Sequence, residues 1–356
     1  WNLIGLPLEV EDSNYQTLFP ESTEETLFYF DENVYQLGEE LQMGLGYWIH
    51  FENEGESDLY GSLVNEMTLQ LNEGWNLISG ISSDIDVSNI IDEESIIVEN
   101  TFFGFGVTYE PSDTLETGKG YWVNSLQDGS ITLTTDSTQY LSKSITFNDK
   151  TDEGNSLQFT NNNGHTINLY FGIKLNESEK LSYSLPPLPP SGYDVRFSDN
   201  MRVVNDYGEI QIMDISESIT ITSDVKITDD RYEWVLKNPS TGEEYLLDGN
   251  SVQIDGDIGN LILMKTVVVP VEYNLSQPYP NPFNPTTTIQ FSLPQSDNVS
   301  IIVYDINGKE ITTLINDNLS VGYHSVSWNS KHSSGLYFIR MESGGYVESK
   351  KVMLLK

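Results

Sequence analysis

The stretch that decides the fold of this 356-residue chain lies near its C-terminus and reads Tyr279-Pro280-Asn281-Pro282-Phe283-Asn284-Pro285. Three prolines within six residues fix φ and remove backbone donors, so the stretch predicts an extended, unpaired connector. Residues 287–293 follow at once and alternate apolar with polar side chains, which is the period of a strand with one buried face. The C-terminal region is therefore predicted to be all-β.

Further short strands follow this first one. An apolar run at 299–304 ends in the turn Asp305-Ile306-Asn307-Gly308, and the strand pattern resumes at 309–314. The Asn-Gly pair supplies the positive φ that a tight hairpin needs. Residues 322–328, 335–340 and 346–355 add at least three more strand patterns between Gly and Ser turns. About seven strands in about 80 residues predict a small β-sandwich of immunoglobulin type.

Residues 275–356 resemble the C-terminal sorting domain of proteins exported by the type IX secretion system, in the subgroup related to the immunoglobulin-like part of flagellar hook-capping proteins. The resemblance implies passage across the outer membrane by its secretion machinery, then release or attachment at the cell surface. In many family members the domain is cut off after export. A generic immunoglobulin-like spacer without a sorting role is the alternative. The residues that carry the resemblance are Pro280, Asn281, Pro282, Phe283, Asn284, Pro285, Tyr304, Asp305, Gly308, Gly335, Tyr337, Lys351 and Lys356.

Length and composition are typical of a secreted multidomain protein. The chain has no cysteine, so it forms neither disulfides nor thiolate metal sites. No stretch approaches the roughly 20 apolar residues of a membrane helix. Because the chain opens at Trp1 without a signal sequence, we expect a processed or excised piece of a longer product.

Negative charge is concentrated at the N-terminal end. The net charge is −37, and residues 1–133 hold 26 acids and one base, Lys119. Such a surface repels phosphate backbones, which excludes nucleic acid as a partner. Three interpretations stay open: a surface that keeps the protein soluble in salt, a surface that binds divalent cations, or a patch for a basic partner.

An internal repeat organises the same region. The sequence Trp-Asn-Leu-Ile at 1–4 recurs at 75–78, and Gly-Tyr-Trp at 46–48 recurs at 120–122, both with an offset of 74. Residues 1–133 are therefore predicted to be a duplicated acidic β-module with repeats at about 1–62 and 75–133. The two copies form either one pseudo-symmetric domain or two tandem domains. Each copy also has a polar, partly helical segment, at 13–19 and 87–92.

The aromatic pair in each repeat has two interpretations. Adjacent strand residues face opposite sides, so one ring of each pair could lie outside the core. The rings Trp48 and Trp122, or Tyr47 and Tyr121, would then form a weak sugar-stacking site for surface glycans. The favoured interpretation is that the rings fill the two cores and pack at the pseudo-twofold contact.

Residues 134–270 are predicted to form a separate β-sandwich of seven or eight strands, followed by the sorting domain at 271–356. A segment at 185–197, rich in proline at 185–190, interrupts the sandwich and is interpreted as a rigid crossover, with an aromatic-groove ligand as the alternative. Arg196 beside Asp194 is interpreted as a structural ion pair. Asp255 and Asp257 are the best candidates for a weak calcium site.

The chain lacks the sequence motifs of the common enzyme classes. Its four histidines are scattered, and zinc, nucleophile-elbow, phosphate-loop and dinucleotide motifs are missing. We therefore expect no catalytic residues and no cofactor, calcium aside. The predicted function is a non-catalytic tail of a secreted or cell-surface bacterial protein, serving export or surface attachment and a structural or adhesive role, with possible self-assembly into a fibre or sheath. The alternative is an accessory carbohydrate-binding region of a larger polysaccharide-degrading enzyme.

Overall fold

The computed structural model describes residues 1–135, 147–213, 218–226, 231–255 and 259–355. Strands dominate these residues, and the two α-helices found in them, α1 (Tyr15–Leu18) and α2 (Glu177–Lys180), have four residues each. The predicted all-β fold class is confirmed. The chain divides into two compact units, one formed by Trp1–Ile227 and Val235–Met264, the other by Thr228–Trp234 and Lys265–Lys356. The predicted domain boundaries at 133 and 270 stay predictions.

Fourteen strands lie in the fully described stretch 1–135. They are β1 (Asn2–Gly5), β2 (Leu8–Glu9), β3 (Phe28–Asp31), β4 (Val34–Leu37), β5 (Gly46–Ile49), β6 (Ser62–Leu63), β7 (Glu66–Leu71), β8 (Gly74–Ser79), β9 (Ile85–Asp86), β10 (Phe103–Phe105), β11 (Tyr109–Pro111), β12 (Thr114–Leu115), β13 (Gly120–Ser125) and β14 (Gly129–Thr134).

The two copies of the sequence repeat form two sheets with the same strand order. The first sheet runs β1-β5-β3-β4, and the second runs β8-β13-β10-β11. Small β-bridges join the two copies at matching positions, Ile4 with Lys119 and Leu45 with Ile78. Glycine at the start of β5 permits this close approach, because a Cβ on Gly46 would lie 2.5 Å from the Ile78 carbonyl oxygen.

The middle region contains ten strands among its described residues, and they form two five-stranded sheets. Their orders are β18-β16-β15-β20-β23 and β17-β19-β24-β21-β22. The strands are β15 (Asn155–Asn161), β16 (Thr166–Phe171), β17 (Asp194–Phe197), β18 (Val203–Val204), β19 (Tyr207–Met213), β20 (Ser218–Asp224), β21 (Tyr232–Lys237), β22 (Glu244–Leu246), β23 (Ser251–Asp255) and β24 (Asn260–Val267).

The C-terminal region forms a three-stranded sheet, β25-β26-β29, and a four-stranded sheet, β28-β27-β30-β31. As the alternating sequence predicts, β26 buries Ile289, Phe291 and Leu293 between the sheets. Its relation to the immunoglobulin fold stays a prediction. The strands are β25 (Asn274–Leu275), β26 (Thr286–Leu293), β27 (Asp297–Tyr304), β28 (Glu310–Leu319), β29 (Gly322–Asn329), β30 (Gly335–Ser343) and β31 (Tyr346–Leu354).

Candidate functional site

The two ends of the C-terminal region lie side by side. Asn281 accepts a hydrogen bond from the Met353 backbone N–H at 2.9 Å through Oδ1 and donates one to the Lys351 carbonyl at 3.0 Å through Nδ2. The backbone of Phe283 donates to the Met353 carbonyl and accepts from the Leu355 N–H, both at 2.9 Å. The proline segment, residues 279–285, therefore holds the last strand, β31, along its outer edge.

The prediction that residues 279–285 form an unpaired connector is wrong. Tyr279 and Thr288 exchange two backbone hydrogen bonds at 3.0 and 2.9 Å. The carbonyl of Pro280 accepts from Thr287 Oγ1 at 2.8 Å, and that of Pro285 accepts from the Ser330 N–H at 2.8 Å. Proline lacks only its own N–H, so the residues between the prolines and all the carbonyls are still able to pair.

Phe283 anchors the proline segment to the core. Its side chain is 2% exposed, and its ring centroid lies 5.1 Å from that of Trp328. Tyr337 packs edge-on against Trp328 with ring centroids 5.2 Å apart, and its hydroxyl donates a hydrogen bond to the Ser333 carbonyl at 2.8 Å. Three sequence motifs that are far apart along the chain thus meet in one aromatic cluster.

The turn after Tyr304 is closed by Asp305. One carboxylate oxygen of Asp305 accepts from the backbone N–H of Asn307 at 2.8 Å and from that of Lys309 at 3.0 Å. These bonds, chiefly that from Lys309, lower the pKa of the Asp305 carboxyl below its usual value. Gly308 has the positive φ, 77°, that the hairpin prediction requires.

Side chains of β31 alternate between the core and the surface. Val352 and Leu354 are fully buried, whereas Lys351 is exposed and Met353 is 42% exposed. Tyr279 and Asn281 are exposed beside them. We call these four residues, Tyr279, Asn281, Lys351 and Met353, the terminal surface. Of the other motif residues, Asn284 and Gly335 are also exposed, and Lys356 lies outside the described residues.

The four aromatic residues proposed as a sugar-stacking site are all buried. Trp48 and Trp122 are 0% exposed, and Tyr47 and Tyr121 are 2% exposed. Trp48 packs edge-on against Phe105 of the other copy at 4.6 Å. No face of these rings is open to a sugar in this structure. The geometry is that of the favoured interpretation, because Tyr47 and Tyr121 lie in the cores of the two copies and Trp48 and Trp122 pack at the contact between them.

The proline-rich segment 185–190 covers this aromatic contact. Tyr35 and Tyr109, at equivalent places in the two copies, donate their hydroxyls to the carbonyls of Leu188 at 3.0 Å and Pro187 at 2.8 Å. Burial raises the pKa of Tyr109 well above its usual value. Sequence reasoning missed this contact, because nothing local to the prolines indicates which tyrosines they bind.

Arg196 fixes the base of the same segment. Its guanidinium is fully buried, donates to the Pro186 carbonyl at 2.6 Å and forms two hydrogen bonds of 2.6 Å with the Asp194 carboxylate. The predicted structural ion pair is confirmed.

The calcium prediction is left open by the structure. Asp255 ends β23, and Asp257 lies outside the described residues. In the described ranges, no three acidic or histidine side chains come together as metal ligands. Within those same ranges, no helix has the length and apolar character to cross a membrane.

Comparison with known proteins identifies the C-terminal region. Residues 277–355, from the proline segment to the end of β31, match the family described as the secretion system C-terminal sorting domain. The predicted type IX sorting domain is thereby confirmed. The chain is a secreted, cell-surface protein, and its tail interacts with the secretion machinery.

The other comparisons add little for the chain as a whole. No curated protein matches it. A cryo-EM structure of native alpha-2-macroglobulin from E. coli is 12% identical, with a TM-score of 0.17, and the match covers 83% of this chain and 26% of that one. The chain thus spans about a quarter of that protein, and a likeness of this degree supports no inference.

Proposed function

We propose that this chain is the non-catalytic tail of a secreted bacterial protein, and that the secretion machinery recognises its terminal surface in the folded state. The observation that carries the proposal is the pair of hydrogen bonds by which Asn281 donates to the Lys351 carbonyl and accepts from the Met353 N–H. These residues are about 70 positions apart in sequence, so they form one surface only when the sandwich has folded. A signal that is read as an unfolded, linear sequence would not need these two hydrogen bonds.

For the upstream regions we propose a structural role as a spacer or adhesive stalk. Their large aromatic rings are used in packing between the repeats. The histidines of these regions have structural partners. His50 Nδ1 lies 2.7 Å from Thr23 Oγ1, and its ring centroid lies 5.4 Å from that of Trp1. His165 Nδ1 lies 3.4 Å from the side-chain amide of Asn161. Such contacts favour a framework over a catalytic site.

The export proposal is tested with Asn281→Ala in the full chain, expressed in a bacterium that has a type IX secretion system. Loss of two neutral hydrogen bonds costs about 1–2 kcal/mol and weakens the hold of the proline segment on the end of β31. We expect less protein at the surface and in the medium, and more in the periplasm. Asn316→Ala, on the exposed part of β28, is the matched control and should be exported normally. Normal export of Asn281→Ala would contradict recognition of this surface.

Self-assembly is the extended form of the structural proposal. Sheet edges such as that of β28 are able to pair with another copy. Sedimentation velocity over a range of salt and calcium concentrations measures this directly. Concentration-dependent growth of large species supports assembly, and a monomer under all conditions would rule it out.

A further inference from the structure

A wide groove lies between the first copy of the repeat and strands β7 and β8. One wall is the β3–β4 hairpin with the loop at 37–45, and the other is β7, β8 and the turn between them. Its volume of about 1180 Å³ exceeds the roughly 300–1,000 Å³ of most small-molecule pockets. The groove therefore has room for a segment of polypeptide. We call it the acidic groove.

Aromatic rings that are partly buried line the acidic groove. Phe30 packs edge-on against Trp122 with ring centroids 4.8 Å apart, and Trp75 packs edge-on against the same indole at 6.4 Å. Trp122 itself is fully buried, so it supports both rings from within the core. Leu37 adds an apolar side chain that is 54% exposed. The apolar lining is therefore fixed in place by the packing between the copies.

The same groove carries a concentration of negative charge. Among the described residues that line it, five are acidic and none is lysine, arginine or histidine. All five are exposed, and within the described part of the chain their carboxylates form no ion pair. Such a groove attracts a cationic ligand and repels an anionic one. The five residues are Asp31, Glu32, Glu39, Glu40 and Glu73.

Comparison of the two copies shows that the fold does not require this chemistry. Their sheets have the same strand order, yet four groove residues differ in chemistry from the residues 74 positions later. At those positions the second copy has no carboxylate, and glycine stands in place of Phe30. The pairs are Phe30 with Gly104, Asp31 with Phe105, Glu32 with Gly106 and Glu40 with Thr114. The combination of rings and carboxylates is therefore particular to this groove.

We propose that the acidic groove binds an arginine-bearing segment of a partner protein. A guanidinium group stacks on aromatic rings and forms paired hydrogen bonds with carboxylates, so one side chain uses both features of the groove. A neutral or anionic ligand would cover the carboxylates without a counter-charge. A second copy of this chain is a poor occupant, because its net charge of −37 opposes association. The proposal does not depend on the export function.

The test measures binding of the full chain to a synthetic octapeptide that alternates arginine with serine, by isothermal titration calorimetry at physiological salt. Hydrogen exchange followed by mass spectrometry locates the bound peptide. We expect saturable binding of one peptide per chain and slower amide exchange at residues 37–45 and 66–73. A peptide with lysine in place of arginine has the same charge and should bind at least about fivefold more weakly, because an ammonium group does not stack on rings as a planar guanidinium does.

Paired carboxylate variants separate the groove from the general negative charge of the chain. Glu40→Gln with Glu73→Gln removes one carboxylate from each wall and keeps the side-chain shapes. We expect it to weaken binding by about fivefold, through the loss of two exposed ion pairs. Glu24→Gln with Glu93→Gln is the matched control, because both residues are exposed, lie outside the groove and change the net charge equally. This control should bind like the original chain.

A leucine variant tests the groove independently of its carboxylates. Leu37→Lys places a cation beside the incoming guanidinium, and the residue is 54% exposed, so the fold tolerates it. We expect binding to weaken at least about tenfold. Leu126→Lys is the matched control, because Leu126 is 51% exposed and lies outside the groove.

Any of four results would overturn the proposal. The first is the absence of saturable binding to the original chain. The second is equal binding of the lysine peptide, which would reduce the contact to charge alone. The third is an equal effect of the groove variants and their controls, or protection confined to residues outside the groove. The fourth is a dimer of the free chain, seen by sedimentation, that Leu37→Lys abolishes, because it would assign the groove to a second copy.

Discussion

The change Phe283→Ala tests whether the proline segment is part of the C-terminal core. The side chain is 2% exposed and packs against Trp328, so its removal leaves a cavity that the rigid sandwich does not fill. Truncations of this kind cost about 3–5 kcal/mol, against about 5–15 kcal/mol for the whole stability of a domain. We therefore expect the C-terminal region to unfold far more often in this variant, although the proline segment is short and lies at the edge of a sheet, where most single changes have small effects.

Hydrogen exchange of the full chain, followed by mass spectrometry, measures this change in the right place. Peptides from β27 and β30 report opening of the C-terminal sandwich separately from the other unit. A loss of about 3 kcal/mol accelerates exchange through global opening by about 100-fold. Tyr279→Ala is the matched control in the same segment, because Tyr279 is 80% exposed and its loss should change stability by less than about 0.5 kcal/mol.

Two outcomes would refute the reasoning. If Phe283→Ala accelerates exchange by less than about fivefold, its burial contributes little and the segment is peripheral. If Tyr279→Ala has as large an effect as Phe283→Ala, the segment acts through its backbone and not through the buried ring.

The remaining predictions concern buried groups and one carboxylate. Trp48→Ala should lower the unfolding free energy, measured by urea titration, by about 3–5 kcal/mol, because Trp48 is fully buried. Tyr60→Ala is the control, because Tyr60 is 83% exposed and its loss should change the unfolding free energy by less than about 0.5 kcal/mol. Equal effects of the two changes would contradict the packing role of Trp48. Arg196→Met should lower the unfolding free energy by about 3–5 kcal/mol, because it leaves the Asp194 carboxylate buried without a partner. Adding Asp194→Leu should restore most of this stability. A double variant no more stable than Arg196→Met alone would contradict this explanation. Because the pKa of Asp305 is lowered in the folded state, its stabilisation is present above the unfolded pKa, near 4, and is lost as pH falls through the folded pKa. Asp305→Asn should therefore reduce the drop in melting temperature between pH 5 and pH 2, and an unchanged drop would exclude the carboxylate as its source.

Local patterns predicted the elements of the C-terminal region well. The alternation at 287–293 gave the correct buried face of β26, and the Asn-Gly pair gave the hairpin at Gly308. Both depend on residues close together in sequence, where side-chain period and turn geometry decide the structure. Short strands such as β17 (Asp194–Phe197) were missed, because two of its four residues are charged and carry no alternation.

Contacts between residues far apart in the chain could not be predicted from the sequence. The prediction of an unpaired connector from the prolines was wrong, because the hydrogen-bond acceptors of Asn281 and Phe283 lie about 70 residues away. These acceptors are backbone groups, which no side-chain pattern marks. The same limit applies to Tyr35 and Tyr109, whose partners are carbonyls of the proline-rich segment.

The most direct test of the central claim compares where two forms of the protein are found: the full chain and a version that ends at Val271. Each form is expressed in a bacterium with a type IX secretion system and in a strain of that bacterium that lacks the system. Cell fractionation and immunoblotting measure how much protein reaches the surface and the medium. The full chain should be exported only by the first strain, and the shortened chain should stay in the periplasm of both. Export of the shortened chain, or export of the full chain without the secretion system, would contradict the claim that residues 277–355 direct this protein out of the cell.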